Sequence, residues 1–274
     1  MLMDMLLQEM QEISHLKFNY ICLMNDKLNI ENLFSLKKDF IRIIEETEEK
    51  LRSNLISSDR IKTVKRVQVV KYINVFNFSY CIKSDNTFLK EKLEELLVRL
   101  PNYWIQEKVK VHHGRKRIEL NQYYLDAYHQ MLTIISLCIL LDISKEKFSP
   151  IVELIDRDNV KDFLYENLIR YHFPNRKVIK EESYSKFLAI PKMNKRIVNI
   201  LDEDDKTTLI KSIKSYLDKY WYKVHKDFSW YNSHINHPNS FYGYWAFEVA
   251  AIVKIKGLDD SSFKDNTYYP DRLV

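Results

Sequence analysis

The sequence has 274 residues, of which 46% are hydrophobic and 30% charged, a composition typical of a folded globular protein rather than a disordered chain. Only three residues are glycine, which excludes the Gly-rich phosphate-binding loops and argues against a turn-rich β-sandwich or barrel. The net charge of +5 is spread along the chain, whereas nucleic-acid-binding proteins usually show a larger or more localised excess. Composition therefore favours a helical protein and says little about its partners.

The cysteines and the apolar segments bear on where the protein works. Cys22, Cys81 and Cys138 are odd in number and widely spaced, which favours a reducing compartment without disulfides. The longest apolar stretch, 132–141, is half of the about 20 residues that a membrane span requires. The N-terminal residues lack the basic region and cleavage site of a signal peptide. We therefore expect a soluble, cytoplasmic protein.

Apolar residues recur at helical spacing almost throughout the chain. Helices are predicted over 33–56, 59–80, 86–100, 119–141, 144–155, 158–171, 184–190, 193–201, 205–223 and 241–256. An irregular connection over 102–117 is predicted to separate an N-terminal part, 1–118, from a C-terminal part, 119–274, and a polar linker is predicted over 173–183. Because the last helix is apolar on nearly every side, the expected fold is an all-α, multi-helix bundle around a central buried helix at about 241–256.

Three helix ends carry recognisable signals in the sequence. Asp158 or Asn159 is predicted to cap the helix over 158–171, and Asp205 the helix over 205–223. Gly257 is predicted to end the last helix, because glycine adopts the left-handed conformation that follows many helices.

Two runs of carboxylates are candidate interaction surfaces. They are Glu45, Glu46, Glu48 and Glu49 within a helix, and Asp202, Glu203, Asp204 and Asp205 before a helix. Such runs usually mark a solvated surface or a helix N-terminus. The alternative is an acidic patch that meets a basic partner.

The histidines are the natural place to look for a metal or a base. His234 and His237 have the H-x-x-H spacing of a zinc ligand pair, but polar residues and a proline place them in a loop without a nearby cysteine. We expect no metal and no cofactor. The basic cluster over 112–117 could contact phosphate, although a solvated linker is the simpler interpretation.

Glu248 lies in the apolar run of the last helix, where a lone carboxylate would be costly unless it is paired. Lys223, His225 and His234 are the candidate partners. A buried Glu–His pair could be catalytic, or it could hold the fold together, which is the interpretation we favour. Replacing Glu248 with alanine should then cost several kcal/mol because the partner's charge would be left unpaired.

The C-terminal third carries five short motifs: WYKVH at 221–225, WYNSH at 230–234, YGYWAFE at 242–248, DDSS at 259–262 and YYP at 268–270. This set, together with LIDRD at 154–158, is similar to the PoNe immunity protein family (PoNi). The resemblance covers residues 120–274, whereas residues 1–118 agree only in helical character. His237 lies outside the motifs, which weakens the zinc hypothesis further.

The resemblance implies an all-helical protein without catalysis that binds and silences a cognate DNase toxin of bacterial competition, inside the producing cell. It supplies no binding site; the motif residues are expected to form the skeleton of the fold: Trp221, His225, Trp230, His234, Tyr244, Trp245, Glu248, Asp260, Tyr269 and Pro270. A DNase must present positive charge to phosphates, so the two acidic runs are the expected toxin contacts. The net charge of +5 excludes a global mimic of DNA.

Two other functions stay open from the sequence. One is a helical hydrolase that uses Glu248 and His234, with activity that depends on a metal or on pH. The other is a nucleic-acid-binding regulator that uses the basic cluster over 112–117, with an affinity that falls with salt.

Overall fold

The computed structural model describes residues 30–106, 108–113, 115–176, 196–197, 199–236, 241 and 243–274, and of residues 30–31, 108–113 and 116–120 it describes the backbone alone. Cys22, His237, the predicted helix over 184–190 and most of the predicted linker lie outside the described residues. So do the side chains of His112 and His113.

The described residues confirm the all-α class. The helices are α1 (Ile30–Arg52), α2 (Ser58–Cys81), α3 (Asn86–Tyr103), α4 (Leu125–Leu140), α5 (Lys145–Arg157), α6 (Phe163–Ile169), α7 (Lys206–Lys219), α8 (Trp221–Val224), α9 (Ser233–Asn236) and α10 (Phe247–Lys256). A single 3-10 turn follows at Asp271–Leu273. None of the helices in the described part of the chain has the length and hydropathy needed to cross a bilayer.

Helices α1 and α2 form an antiparallel pair whose two ends differ. The C-terminal half of α2, from Val69 to Cys81, is buried on almost every side. At the other end the predicted apolar face does not meet the core: Leu55 is 74% exposed and Val67 42% exposed. Helical periodicity predicted both helices but not how far along them the core extends.

The prediction of an irregular connection over 102–117 was wrong. Residues 108–123 form a β-hairpin of strands β1 (Lys108–His113) and β2 (Lys116–Tyr123). Val111 pairs with Ile118 and His112 with Arg117 in an antiparallel register. The alternation of lysine and valine over 108–111 is the period-two signal of a strand. The predicted domain boundary at residue 118 falls inside β2, and the division into two parts remains a prediction.

Several predicted helices have different ends in the structure. The helix predicted over 119–141 begins only at Leu125, because residues 119–123 belong to β2. Helix α6 begins at Phe163 because the Asp162 carboxylate caps it, accepting the Tyr165 N–H at 3.0 Å; neither Asp158 nor Asn159 is its cap. Asp205 does cap α7, accepting the Thr208 N–H at 2.8 Å. That helix ends at Lys219, however, and a short separate helix, α8, follows it.

The central buried helix is present but shorter than predicted, since α10 begins at Phe247 and not at residue 241. Every side chain from Phe247 to Val253 is buried. Helix α10 packs against α4, the other strongly apolar helix of the described chain. Gly257 ends α10 in the left-handed conformation, with φ of 56°, as predicted.

Candidate functional site

The C-terminal motifs come together as a group of stacked rings, here called the aromatic cluster: Trp221, Tyr222, His225, Phe228, Trp230, Tyr244 and Tyr268. Its centre is Trp221, whose ring centroid lies 5.8 Å from that of Trp230 and 4.9 Å from that of Tyr268. The rings come from α8, from the turn between α8 and α9 and from the segments that flank α10. The aromatic cluster therefore joins segments that are separate in the sequence.

One hydrogen-bonded loop folds the second motif back on the first. The Asn232 side chain accepts a hydrogen bond from the Tyr222 hydroxyl at 2.8 Å, and the Asn232 N–H donates back to that hydroxyl at 3.2 Å. Asn232 has a φ of 59°, which asparagine tolerates better than most residues. Tyr231 then stacks on Tyr222 at a centroid distance of 4.4 Å.

Glu248 is buried at 3% exposure, but its partner is none of the three predicted ones. The Trp221 indole N–H donates to its Oε1 at 2.6 Å. Lys223 is exposed, and His225 and His234 bond elsewhere. Burial raises the pKa of Glu248 to about 7, against the opposing effect of the indole hydrogen bond. Glu248 is therefore held by a neutral donor, and removing it would leave no charge unpaired.

The two motif histidines do not pair with Glu248. His225 is fully buried, its Nδ1 lies 2.6 Å from the Trp221 carbonyl oxygen, and burial lowers its pKa to about 3. The neutral ring then donates from Nδ1 to that carbonyl. His234 is half-buried, with Nδ1 2.7 Å from the Tyr244 hydroxyl. Because Glu248 and His234 have different partners, they do not form the dyad that the hydrolase hypothesis needs.

His129 of α4 was missed by the sequence analysis. Its ring packs edge-on against Phe228 at 5.4 Å and against His225 at 5.8 Å, and burial lowers its pKa to about 4. No local pattern relates His129 to a motif nearly a hundred residues later. Among the described residues, no group of three or more His, Cys, Asp and Glu side chains could hold a metal ion.

The remaining motif residues tie the end of the chain to α2. Trp245 packs edge-on against Tyr80 at 4.6 Å, and the Tyr80 hydroxyl donates to Asp271 at 3.2 Å. The Ala246 N–H donates to the Tyr268 carbonyl at 2.8 Å. Around this connection Tyr269 and Pro270 are buried, and the Asp260 carbonyl closes a turn by accepting the Phe263 N–H.

The first acidic run does not form one surface. Glu48 is buried and accepts hydrogen bonds from Tyr103 at 2.7 Å and from Gln68 at 3.0 Å, with Arg99 at 3.2 Å. The Glu48 carboxylate is therefore not accessible to a partner protein. Glu45, Glu46 and Glu49 are exposed, and the last two pair with arginines on α1: Glu46 with Arg42 at 2.8 Å and Glu49 with Arg52 at 2.7 Å.

The second acidic run is partly used by the backbone. Asp205 caps α7, and Glu203 accepts the Asp205 N–H at 2.9 Å. Lys256 of α10 donates to the Glu203 carbonyl at 3.2 Å, which connects the run to the central helix. Asp202 and Asp204 are exposed.

Comparison with known proteins gives one match. No curated protein and no solved structure matches the chain. Residues 160–273 match the family model of the C-terminal region of PoNe immunity proteins (PoNi). The matched range contains the whole aromatic cluster and α10, whereas the α1–α2 pair lies outside it. Residues 160–273 of this chain are thus similar to the C-terminal region of the PoNe immunity proteins.

Proposed function

We propose that this protein is the immunity protein of a PoNe-type DNase toxin, which it neutralises by binding and without catalysis. The family match over 160–273 carries the proposal, because the family consists of immunity proteins and an immunity protein acts on a toxin. The producing cell's cytoplasm is the compartment in which such a toxin would reach DNA, so we place the protein there.

The chemistry of the C-terminal motifs supports a binding role. Two of their titratable groups are directed inward: Glu248 bonds to the Trp221 indole and His225 to the Trp221 carbonyl. An acid or base must reach a substrate to act on it. Groups that are 3% exposed or less stabilise the fold more readily than they meet a substrate.

The exposed carboxylates of α1 are the toxin contacts that we propose first, and we call Glu45, Glu46 and Glu49 the acidic ridge. A DNase needs positive charge where phosphates bind, and carboxylates opposite such a cleft speed association and add specificity. The ion pairs of Glu46 and Glu49 are exposed, and exposed pairs contribute little to stability. Both carboxylates are therefore free to exchange partners.

The second acidic run is a further candidate contact. Asp202, Asp204 and Asp205 are exposed, but the carboxylates of Glu203 and Asp205 already accept backbone hydrogen bonds. Any contribution of Glu203 or Asp205 to binding would compete with those hydrogen bonds. We therefore rank this run below the acidic ridge.

The test uses the product of the neighbouring upstream gene with its nuclease site inactivated. Light scattering of the mixture should show a stable complex, and this chain should stop plasmid cleavage by the active nuclease. Absence of a complex with undiminished cleavage would overturn the proposal.

The acidic ridge is tested separately by charge reversal. Glu45→Lys, Glu46→Lys and Glu49→Lys together should weaken the complex and raise its salt sensitivity. The matched control is Glu153→Lys, Asp227→Lys and Asp265→Lys, three exposed carboxylates elsewhere with the same change in net charge. If both triple variants bind alike, the acidic ridge is not the contact, although the immunity function would stand.

A further inference from the structure

A surface groove lies where α1 turns into α2, on the end of the pair that the core does not reach. We call it the basic groove; it measures about 650 Å³ and its walls include Lys50, Leu55, Arg60, Val64, Val67 and Lys71. Lys50 comes from the last turn of α1, and the other five come from the connecting turn and from α2. The groove lies outside the range that matches the PoNi family.

The floor of the basic groove is apolar and open to solvent. Leu55 is 74% exposed and Val67 is 42% exposed, while Val64 is half-buried. The helical spacing of Val64 and Val67 is that of a core-facing stripe, yet here the stripe faces the solvent. An apolar stripe that the described residues leave uncovered is typical of an interaction surface.

The rim of the basic groove is cationic. Its described lining contains Lys50, Arg60 and Lys71 and no carboxylate. Residues 58–71 contain five lysines and arginines but one acidic residue, Asp59. Lys71 is half-buried, burial lowers its pKa, and no carboxylate among the described residues opposes this effect. A cation that is partly desolvated and not compensated in this way gains from an anionic partner.

We propose that the basic groove receives an acidic segment of the toxin that also carries an apolar side chain. This inference rests on the proposed function and adds a second, oppositely charged contact to it. The apolar floor favours a peptide over a nucleic acid, because a phosphate backbone would contact the cations but would leave Leu55 and Val67 exposed.

The basic groove and the acidic ridge border each other on α1. At 100° per residue, Lys50 follows Glu46 by one full turn, so the two side chains are neighbours on the helix surface. A toxin with a cationic DNA cleft and an acidic segment beside it could contact both surfaces at once. Paired surfaces of opposite sign fix the orientation of a complex, since a reversed partner would meet like charge.

The occupant is tested by the reactivity of a single cysteine placed in the groove. In a Cys22→Ser background the other native cysteines, Cys81 and Cys138, are buried, so Val67→Cys would be the reactive thiol. We expect a maleimide to label it in the free chain and the inactivated toxin to slow labelling at least about tenfold, a difference of about 1.4 kcal/mol. The control is Val98→Cys on α3, 79% exposed, which should label equally in both states.

Each other result has a defined meaning. Slow labelling in the free chain would show that this chain or a second copy already covers the groove, and would overturn the inference. Unchanged labelling in a complex that does form would also overturn it, while leaving the immunity function intact. If the parent chain forms no complex at all, it is the proposed function that fails.

Charge reversal gives a second, independent test. Lys50→Glu, Arg60→Glu and Lys71→Glu should weaken toxin binding by at least about tenfold. The control, Lys161→Glu, Lys219→Glu and Lys226→Glu, changes the net charge equally at exposed positions and should bind nearly as the parent does. Loss of a salt-dependent affinity for duplex DNA, with toxin binding unchanged, would instead assign the groove to nucleic acid and overturn the inference.

Discussion

The aromatic cluster and the turn between α1 and α2 differ in where their polar and apolar side chains lie. In the aromatic cluster the polar atoms meet inside the protein, as with the Glu248 carboxylate and the Trp221 indole. At the α1–α2 turn the charges form short-range pairs on the surface, such as Arg52 with Glu49, and apolar Leu55 is left in solvent. The Trp221 indole of the cluster is thus paired in the interior, whereas the turn leaves an apolar side chain open to contact.

Under the proposed function, this difference implies separate roles for the two regions. A rigid interior can stay the same while an exposed end changes to fit a particular toxin. The family match over 160–273 contains the cluster and does not include the turn. Most of the predictions below compare a buried position with an exposed one, and so test this difference.

The largest effect is expected from Trp221→Ala. The side chain is 1% exposed and lies at the centre of the cluster, so its loss should lower the free energy of unfolding by about 4 kcal/mol. Leu55→Ala, at the exposed turn, should have little effect. Urea denaturation of both variants measures the contrast, and equal midpoints would show that Trp221 contributes no more to stability than Leu55 does.

The next effect concerns Glu248 and pH. Its pKa of about 7 in the folded protein lies above the usual 4.5, so the folded state keeps a proton that the unfolded state has lost between these two values. Stability from this group is therefore greatest below pH 4.5, falls as pH rises toward 7 and is constant above that. The fall should total roughly 3 kcal/mol, at about 1.4 kcal/mol per pKa unit.

The Glu248→Gln variant isolates this contribution because the amide oxygen can still accept from the indole. His225, whose lowered pKa makes the protein more stable as pH rises from 3 to 6.5, acts in both proteins and cancels. The difference in unfolding free energy, parent minus variant, should fall between pH 4.5 and 7.5. Parallel curves would mean that Glu248 is ionised in the folded protein.

Two glycines provide a matched pair for the third prediction. At Gly243, with φ of 90°, an added Cβ would lie 2.7 Å from the Trp245 indole nitrogen and 3.0 Å from the Cys81 sulfur. At Gly257, with φ of 56°, it would meet nothing within 4 Å. Gly257→Ala should cost about 1 kcal/mol from backbone strain alone, and Gly243→Ala about 2 kcal/mol more from overpacking. Equal melting temperatures would show that the close approach at Gly243 is relaxed at no cost.

The smallest expected loss of stability comes from a comparison of two adjacent glutamates of α1. Glu48→Ala should cost about 2 kcal/mol, because the Tyr103 hydroxyl and the Gln68 amide would lose their buried acceptor. Glu49→Ala removes only an exposed pair with Arg52 and should not change stability measurably. Similar losses in thermal melts would contradict the inward orientation of Glu48.

The sequence predicted what local periodicity and capping determine. The buried C-terminal helix, its Gly257 end and the Asp205 cap follow from short-range patterns. The burial of Glu48 was also accessible, since it lies four residues after Ile44 and three before Leu51, on the apolar face of α1.

What the sequence could not supply are contacts between distant segments. Glu248 selects an indole 27 residues away over the nearby histidines, and only the packed structure shows which donor reaches it. The start of α6 likewise depends on Asp162, whose carboxylate also accepts a hydrogen bond from Gln122 of β2. Tertiary packing determines these hydrogen-bond partners, and they leave no periodic pattern in the sequence.

The contact between α2 and the 3-10 turn has a consequence for how the protein is made. Tyr80 bonds to Asp271, 191 residues later, and the Arg272 guanidinium lies over the same ring. At about 5–20 residues per second, the ribosome needs roughly ten to forty seconds to supply these partners. During that interval the end of α2 leaves the ribosome before the residues that cover it exist. Under the proposed function, a newly made antidote would protect its cell only once this last stretch has been translated.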